Sequence, residues 1–386
     1  MRIAHLTTAD VSLALLLRTE LDVDIESGAS VLGISAPGRF VRELELAGVR
    51  HRAVPSLKRE FDLVSDVRAV FQIYDVLREE RPDVLHTHTP KAGVIGRIVG
   101  RAARVPVVVN TCHGLWATRD DPLVKRLLVY GAEGIAAQFS DYELFQNADD
   151  QQALAWCLRS GRSQVVGNGV NLDLFRFTPN GRKRIRDELG LGEADLLVGG
   201  VGRQVAEKGV LEFASVAERL SEQARFIWVG PADRDKPDAV VGPSPSVDFL
   251  GMRTDMPDVY SALDVFVLPS HREGFSRSAM EAAACGRAMV LSDIRGCREV
   301  AEAEREALFV RPGQPTELGL VIERLLDDAD LRVALGTAAA DRAHREFDQR
   351  DVAAASLAVY REVLRRKARE PSGRRGRGAA TPDPTQ

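Results

Sequence analysis

Residues 265–293 read VFVLPSHREGFSRSAMEAAACGRAMVLSD. The first four are apolar and β-prone, which is the length of a buried strand. A polar loop containing Gly274 follows. Ser276 or Ser278 can then cap a helix that carries Glu281, and Gly286 stops it. Met289–Ser292 is a second apolar strand. Strands that are apolar at every position are covered on both faces, as in parallel sheets flanked by helices. The stretch therefore predicts a strand–helix–strand unit of an α/β fold.

The same alternation runs outward in both directions. Around this unit, strands are predicted at Leu196–Val201, Phe226–Val229, Val247–Leu250 and Leu308–Val310. The first half predicts strands at Ile3–Leu6, Val31–Ser35, Val84–His88, Val107–Thr111, Glu143–Gln146 and Gln164–Val166. Helical patterns lie between them at Phe61–Glu80, Lys91–Ala103 and Leu123–Phe139. Two such sets imply two doubly wound domains, and 386 residues suffice for two cores. The turn-rich Gly167-Asn168-Gly169 marks the boundary. The reading is thus residues 1–167 as one domain and 168–347 as the other. A helix at about 348–369 is expected to pack back on the first domain. The tail 370–386, rich in Gly, Arg and Pro, is expected to be a disordered basic segment.

Composition narrows the function. A formal net charge of -4 does not suit a protein built to coat nucleic acid. Cys112, Cys157, Cys285 and Cys297 lack metal-ligand spacing and read as reduced, packed thiols. The start MRIAHLTTAD lacks the basic and apolar regions of a signal peptide, and no apolar run has the length of a membrane span. The expected location is cytoplasmic.

Two constellations carry chemistry. In LLVGGVGRQVAEKGV, a buried strand ends at Gly202, and Arg203 and Lys208 follow before a helix start near Gly209. Ligands bind at the carboxyl ends of such strands. A guanidinium fork, a lysine charge and helix N–H groups together suit a diphosphate. The glycines 199, 200 and 202 read as room for close backbone approach. The plainer alternative is a surface pair of Arg203 with Glu207. In the opening stretch, Glu273 lies in the loop and Glu281 in the helix. Neither carboxylate suits a phosphate directly; each suits sugar hydroxyls. The plainer alternative, two surface acids, is opposed by the small-residue run Ala282–Cys285.

These segments, with HTHTPKAGVIGR, GNGVNLDLF and SDIRGCREV, occur in the order seen in retaining glycosyltransferases of the GT-B fold, family 4. The chain resembles that family from Met1 to about residue 365. It is most similar to the bacterial subgroup that extends polyprenyl-diphosphate-linked sugars. The resemblance implies two Rossmann-like domains facing across a cleft, with the donor on the second. It implies transfer of a hexose or N-acetylhexosamine from a UDP-sugar to a glycan or lipid-linked sugar, with retention and without a metal or other cofactor. Arg203 and Lys208 would contact the diphosphate, Glu281 the ribose, and Glu273 the donor sugar. Gly274, Phe275 and Ser276 would hold sugar or phosphate. His113 resembles the histidine reaching the donor sugar, and Glu299 would lie near the same pocket. Ser12, His88 and Lys91 are candidates for the acceptor side or the cleft edge. The family's Gly-rich first loop is absent here, and Arg277 stands where a small residue is usual.

His86 and His88 alternate on one strand and so share a face. From the sequence no third metal ligand is identifiable beside them, and hydrogen bonding or packing is the expected role. Asp22-Val23-Asp24 matches an Asp-x-Asp metal motif but sits away from any expected ligand end. Leu123, Leu127 and Leu128 with Lys125 and Arg126 form an amphipathic turn. It reads first as a core-facing helix, with contact to an anionic inner membrane leaflet as the alternative, shared by the basic tail. Two rival functions remain: a sugar-nucleotide epimerase, and a catalytically silent sugar-nucleotide-binding or scaffold protein.

Overall fold

The computed structural model describes residues 1–58, 60–117, 121–234, 238–240 and 244–369. The basic tail and its expected disorder lie outside the described residues. Two parallel sheets organise the chain. The first holds β1 (Arg2–Ala9), β2 (Ser30–Ala36), β3 (Arg50–Ala53), β4 (Val84–Thr87), β5 (Val107–Cys112), β6 (Tyr142–Phe145) and β7 (Ser163–Val165), in the order β3-β2-β1-β4-β5-β6-β7. The second holds β8 (Leu197–Val201), β9 (Arg225–Val229), β10 (Asp248–Gly251), β11 (Val265–Leu268), β12 (Ala288–Ser292) and β13 (Leu308–Val310), in the order β10-β9-β8-β11-β12-β13. Both reverse direction of winding beside their first strand, between β1 and β4 and between β8 and β11. Crevices that take ligands open at such switch points.

Each sheet is covered on both faces, as continuous apolar strands require. In the second domain one face packs Phe266, Leu268, Met280 and Leu291, and the other packs Phe213, Phe226, Trp228 and Val290. β3 (Arg-His-Arg-Ala) was not predicted. It is a polar edge strand, so no apolar run announces it.

The chain crosses between the sheets twice, side by side. Val170 N–H donates to the Phe347 carbonyl at 2.9 Å, and Gln349 N–H donates to the Val170 carbonyl at 3.2 Å. A Cβ on Gly169 would stand 2.5 Å from the Gln349 nitrogen, so only glycine fits there. The helix Gln349–Arg369 then returns to the first sheet, packing Leu357, Tyr360 and Val363 with Ile3, Val84 and Val107.

One expectation fails outright. The helix Leu123–Ala137 does not turn its leucines to the core: Leu123, Leu127 and Leu128 are 64%, 64% and 70% exposed. Its small residues Gly134, Ala136 and Ala137 take the buried side instead. No described helix is long and apolar enough to cross a membrane.

Candidate functional site

Between the carboxyl ends of the two sheets lies a cleft of about 430 Å³. His113, Gly114 and Trp116 line it from the first domain, and Arg203, Lys208, Arg272, Glu273, Gly274 and Arg295 from the second. Local sequence explains the placement. After β8 a short turn, Ala206–Lys208, ends at Gly209 in the left-handed region (φ 72°). A Cβ at Gly209 would stand 2.2 Å from the Pro269 carbonyl, so glycine lets the loops after β8 and β11 close on each other. His271 N–H donates to the Glu207 carbonyl at 2.9 Å and fixes their register. Lys208 Nζ then reaches Glu273 Oε1 at 2.6 Å, and Ser270 Oγ donates to the same oxygen at 2.8 Å.

The cleft has a surplus of cations. Arg203, Lys208, Arg272 and Arg295 face two lining carboxylates, Glu207 and Glu273. Arg203 does not pair with Glu207; its guanidinium donates to Asp233 at 2.9 Å. Arg295 crosses to the first domain to meet buried Asp150, and Arg272 donates to the Trp116 carbonyl at 2.7 Å. Charge of this kind in a crevice concentrates anions.

The glycine reading needs correction. A Cβ on Gly199 would lie 2.4 Å from Leu263, and one on Gly200 2.4 Å from the Trp228 ring. These two glycines admit core side chains and not a ligand. A Cβ on Gly202 would meet nothing closer than Lys208 Cγ at 3.5 Å, and the Gly202 carbonyl accepts from Trp228 Nε1–H at 2.9 Å.

The other expected residues lie around the cleft and do not line it. Ser276 is buried and caps the helix Arg277–Ala284, accepting from Ala279 N–H at 3.3 Å. Phe275 packs edge-on against Phe347. Glu281 is buried, accepting from Tyr260 Oη at 2.9 Å and Arg277 Nε at 3.0 Å. Burial pushes its carboxyl above the usual range despite Arg277. Arg277, unusual by resemblance, also donates to the Leu15 carbonyl across the domains at 2.8 Å. Glu299 ends a short helix, and burial raises its pKa. Ser12 opens the irregular helical turn Ser12–Leu16.

His88 and Lys91 do not line this cleft, and Lys91 lines an apolar groove beside it. Lys91 pairs with Asp66 at 2.7 Å and sits over the Phe61 ring. His88 is fully buried and belongs to a cluster that sequence reading missed. His5 on β1, Glu20, His86 and His88 bring their ligand atoms within 4.8 Å of one another. Such a set could take a metal by its chemistry. In this structure hydrogen bonds occupy the ring nitrogens. His86 meets Thr111 at 2.7 Å, and on its other side Tyr360 and Glu20. Burial raises the Glu20 pKa, but His86 outweighs it and holds it at about 2. His5, His88 and His113 form a chain. Only the alternation of His86 and His88 was visible in sequence; His5 and Asp24 come from a strand and a helix joined by the fold.

A second opening matters for size. Beside the cleft runs an apolar groove of about 660 Å³ between the helices Leu63–Glu80, Pro90–Ala102 and Leu123–Ala137, lined by Phe61, Val67, Val70, Ile95, Trp116 and Leu128. Trp116 lines both cavities.

Comparison with known proteins matches both halves. Residues 14–169 match the "glycosyl transferase 4-like domain" family, and residues 195–328 match "glycosyl transferases group 1". Among curated relatives, an Escherichia coli UDP-Gal:alpha-D-GlcNAc-diphosphoundecaprenol alpha-1,3-galactosyltransferase is 28% identical over 74% of this chain and 77% of its own. A Campylobacter jejuni N,N'-diacetylbacillosaminyl-diphospho-undecaprenol alpha-1,3-N-acetylgalactosaminyltransferase is 27% identical over 76% of this chain and 81% of its own. Among solved structures, Anabaena HepE in complex with UDP superposes with a TM-score of 0.78 at 22% identity, covering 94% of this chain and all of that one.

Proposed function

Since the chain belongs to the group 1 glycosyl transferases and has their two-domain GT-B architecture, we propose that it moves a hexose or N-acetylhexosamine from a UDP-sugar to a polyprenyl-diphosphate-linked sugar. The observation that carries this reading is the cation-rich cleft in which Lys208 bridges to Glu273. A leaving diphosphate gains negative charge as the glycosidic bond breaks. Arg203 and Lys208 stand in place to stabilise that charge before it forms, which is the efficient arrangement. Glu273, held by Lys208 and Ser270, keeps an oxygen for sugar hydroxyls. Glu281 would accept a ribose hydroxyl pair in exchange for its bond to Arg277.

Retention and metal independence belong to this proposal. Both rest on the family resemblance, and the fixed cations of the cleft support the second by supplying the charge a divalent ion would bring. With attack and departure on one face of the sugar, a leaving phosphate oxygen takes the acceptor proton. The silent-scaffold and epimerase alternatives are not favoured by relatives that are transferases over three quarters of the chain.

The acceptor class draws on the names of those relatives and on the groove. A groove of this size is too apolar to suit a sugar, and it shares Trp116 with the cleft. Exposed Leu123, Val124, Leu127 and Leu128, beside Lys125 and Arg126, extend it into a face suited to an anionic bilayer. The test is nucleotide release by purified protein from UDP-, GDP- and dTDP-sugars, with and without a polyprenyl-diphosphate-sugar. Acceptor-dependent UDP release supports the proposal. Release that ignores the acceptor, or none from any donor, rejects it.

A further inference from the structure

Behind the cleft, four hydrogen bonds join five side chains in a line. Gln146 Nε2 meets His113 Nδ1 at 2.9 Å. His113 Nε2 meets His88 Nδ1 at 3.0 Å. His88 Nε2 meets His5 Nδ1 at 3.1 Å. His5 Nε2 meets Asp24 Oδ2 at 2.8 Å. His5, His88 and Asp24 are fully buried, and only His113 reaches the cleft.

The line has a direction. An ionised carboxylate only accepts, so His5 must carry its proton on Nε2. A neutral imidazole has one donor and one acceptor, so His5 Nδ1 accepts and His88 Nε2 donates. The same step repeats: His88 Nδ1 accepts and His113 Nε2 donates. His113 Nδ1 is left as an acceptor, and the Gln146 amide donates to it. Every bond is satisfied by neutral rings in one orientation. The His86 ring lies beside the line, its centroid 4.0 Å from that of His88. Asp24 has a second observation attached to it. Its Oδ1 is buried with no hydrogen-bond partner among the described residues.

We propose that Asp24, His5 and His88 are positioning residues that hold His113 as the Nε2–H tautomer from inside the first domain. His113 Nδ1 then accepts from Gln146 and Nε2–H donates to His88, so both ring nitrogens are held and the ring plane is fixed from behind the cleft. The ring also anchors its own loop. A Cβ on Gly274 would stand 3.0 Å from the His113 carbonyl, so the two domains touch there. The relay thus sets both the tautomer and orientation of His113 and the seat of the loop against Glu273–Gly274. Its effect on turnover rests on the transfer reaction proposed above; the tautomer does not.

The experiment uses the full chain with ¹⁵N-labelled histidine, seven in all, and long-range proton–nitrogen correlation to read the tautomer of His113. The expected result is Nε2–H in the wild type. In Asp24→Asn, whose amide can donate as well as accept, His113 shifts toward Nδ1–H. kcat should fall roughly 10- to 100-fold, as for a misplaced reacting group, with KM for the UDP-sugar nearly unchanged. His88→Phe, which breaks the line and keeps a ring, should show the same kcat loss. Nδ1–H in the wild type overturns the proposal even if no variant folds. So does Asp24→Asn with wild-type tautomer and kcat. So does an equimolar metal that survives chelation and broadens or shifts the His5 and His88 nitrogens. A wild type inactive on every donor but carrying the Nε2–H signal overturns the transferase reading and leaves the relay standing.

Discussion

The two sheets share one winding order and use its switch point in opposite ways. In the first, the crevice between β1 and β4 is filled by His5, His86 and His88, whose ring nitrogens are engaged inside the protein. In the second, the crevice between β8 and β11 opens on Arg203, Lys208 and Glu273 at the cleft. The same topology therefore yields a buried network on one side and ion-paired charge lining an open cleft on the other. The first domain holds a position; the second meets a charged ligand.

The sharpest way to break this comparison is to remove charge from the second crevice. Lys208→Ala should cost about 10²–10³ in kcat, the scale for losing one fixed stabiliser of developing negative charge, measured as UDP release. It also strips Glu273 of its partner, so Lys208→Arg, which keeps a cation beside Glu273, should lose less turnover than Lys208→Ala.

Next comes the network that supports the first crevice. Buried Arg97 donates to Glu143 at 2.9 Å and pairs with Glu133. Arg97→Met strands buried Glu143 and part-buried Glu133 and should destabilise by about 3–5 kcal/mol, read by urea unfolding. A loss near zero would show that this domain is not held by its buried polar groups.

Acid gives a smaller, graded effect. His113 is pushed down to about 4, below the ordinary histidine value, so between 6.5 and 4 the unfolded chain binds more protons than the folded one. His88 has the same sign. The stability they contribute is complete above 6.5 and is lost as pH falls toward 4. His5, held up by Asp24 against burial, has the opposite sign and offsets part of it. The melting temperature should fall from pH 7 to pH 5, and His113→Gln should flatten that slope. The least effect on the fold is expected at the exposed leucines. Leu127→Ser with Leu128→Ser should change stability by under about 0.5 kcal/mol per site, while reducing sedimentation with anionic vesicles.

The second crevice was far more legible than the first. Arg203, Lys208, Glu273 and Gly274, singled out from loop position beside apolar strands together with the family resemblance, all line one cleft. The strands were legible because apolar runs bounded by turns have one reading in a parallel sheet. The edge strand β3 and the outward leucines of Leu123–Ala137 were not, since polarity hides a strand and an apolar turn looks alike facing core or solvent. His5, Glu20 and Asp24 were invisible as a group because three separate elements supply them with His88, and no local spacing encodes that meeting. Gly199 and Gly200 misled for a related reason. A missing Cβ tells of a close neighbour without telling whether it is a ligand or Trp228.

The central claim is that the cleft charge serves a nucleotide-diphosphate donor. The direct measurement is acceptor-dependent UDP release from UDP-sugars by wild type and Lys208→Ala, matched for folding by thermal melting. The account predicts turnover in the wild type and at least a hundredfold loss in the variant. Undiminished turnover in a folded Lys208→Ala protein would contradict it.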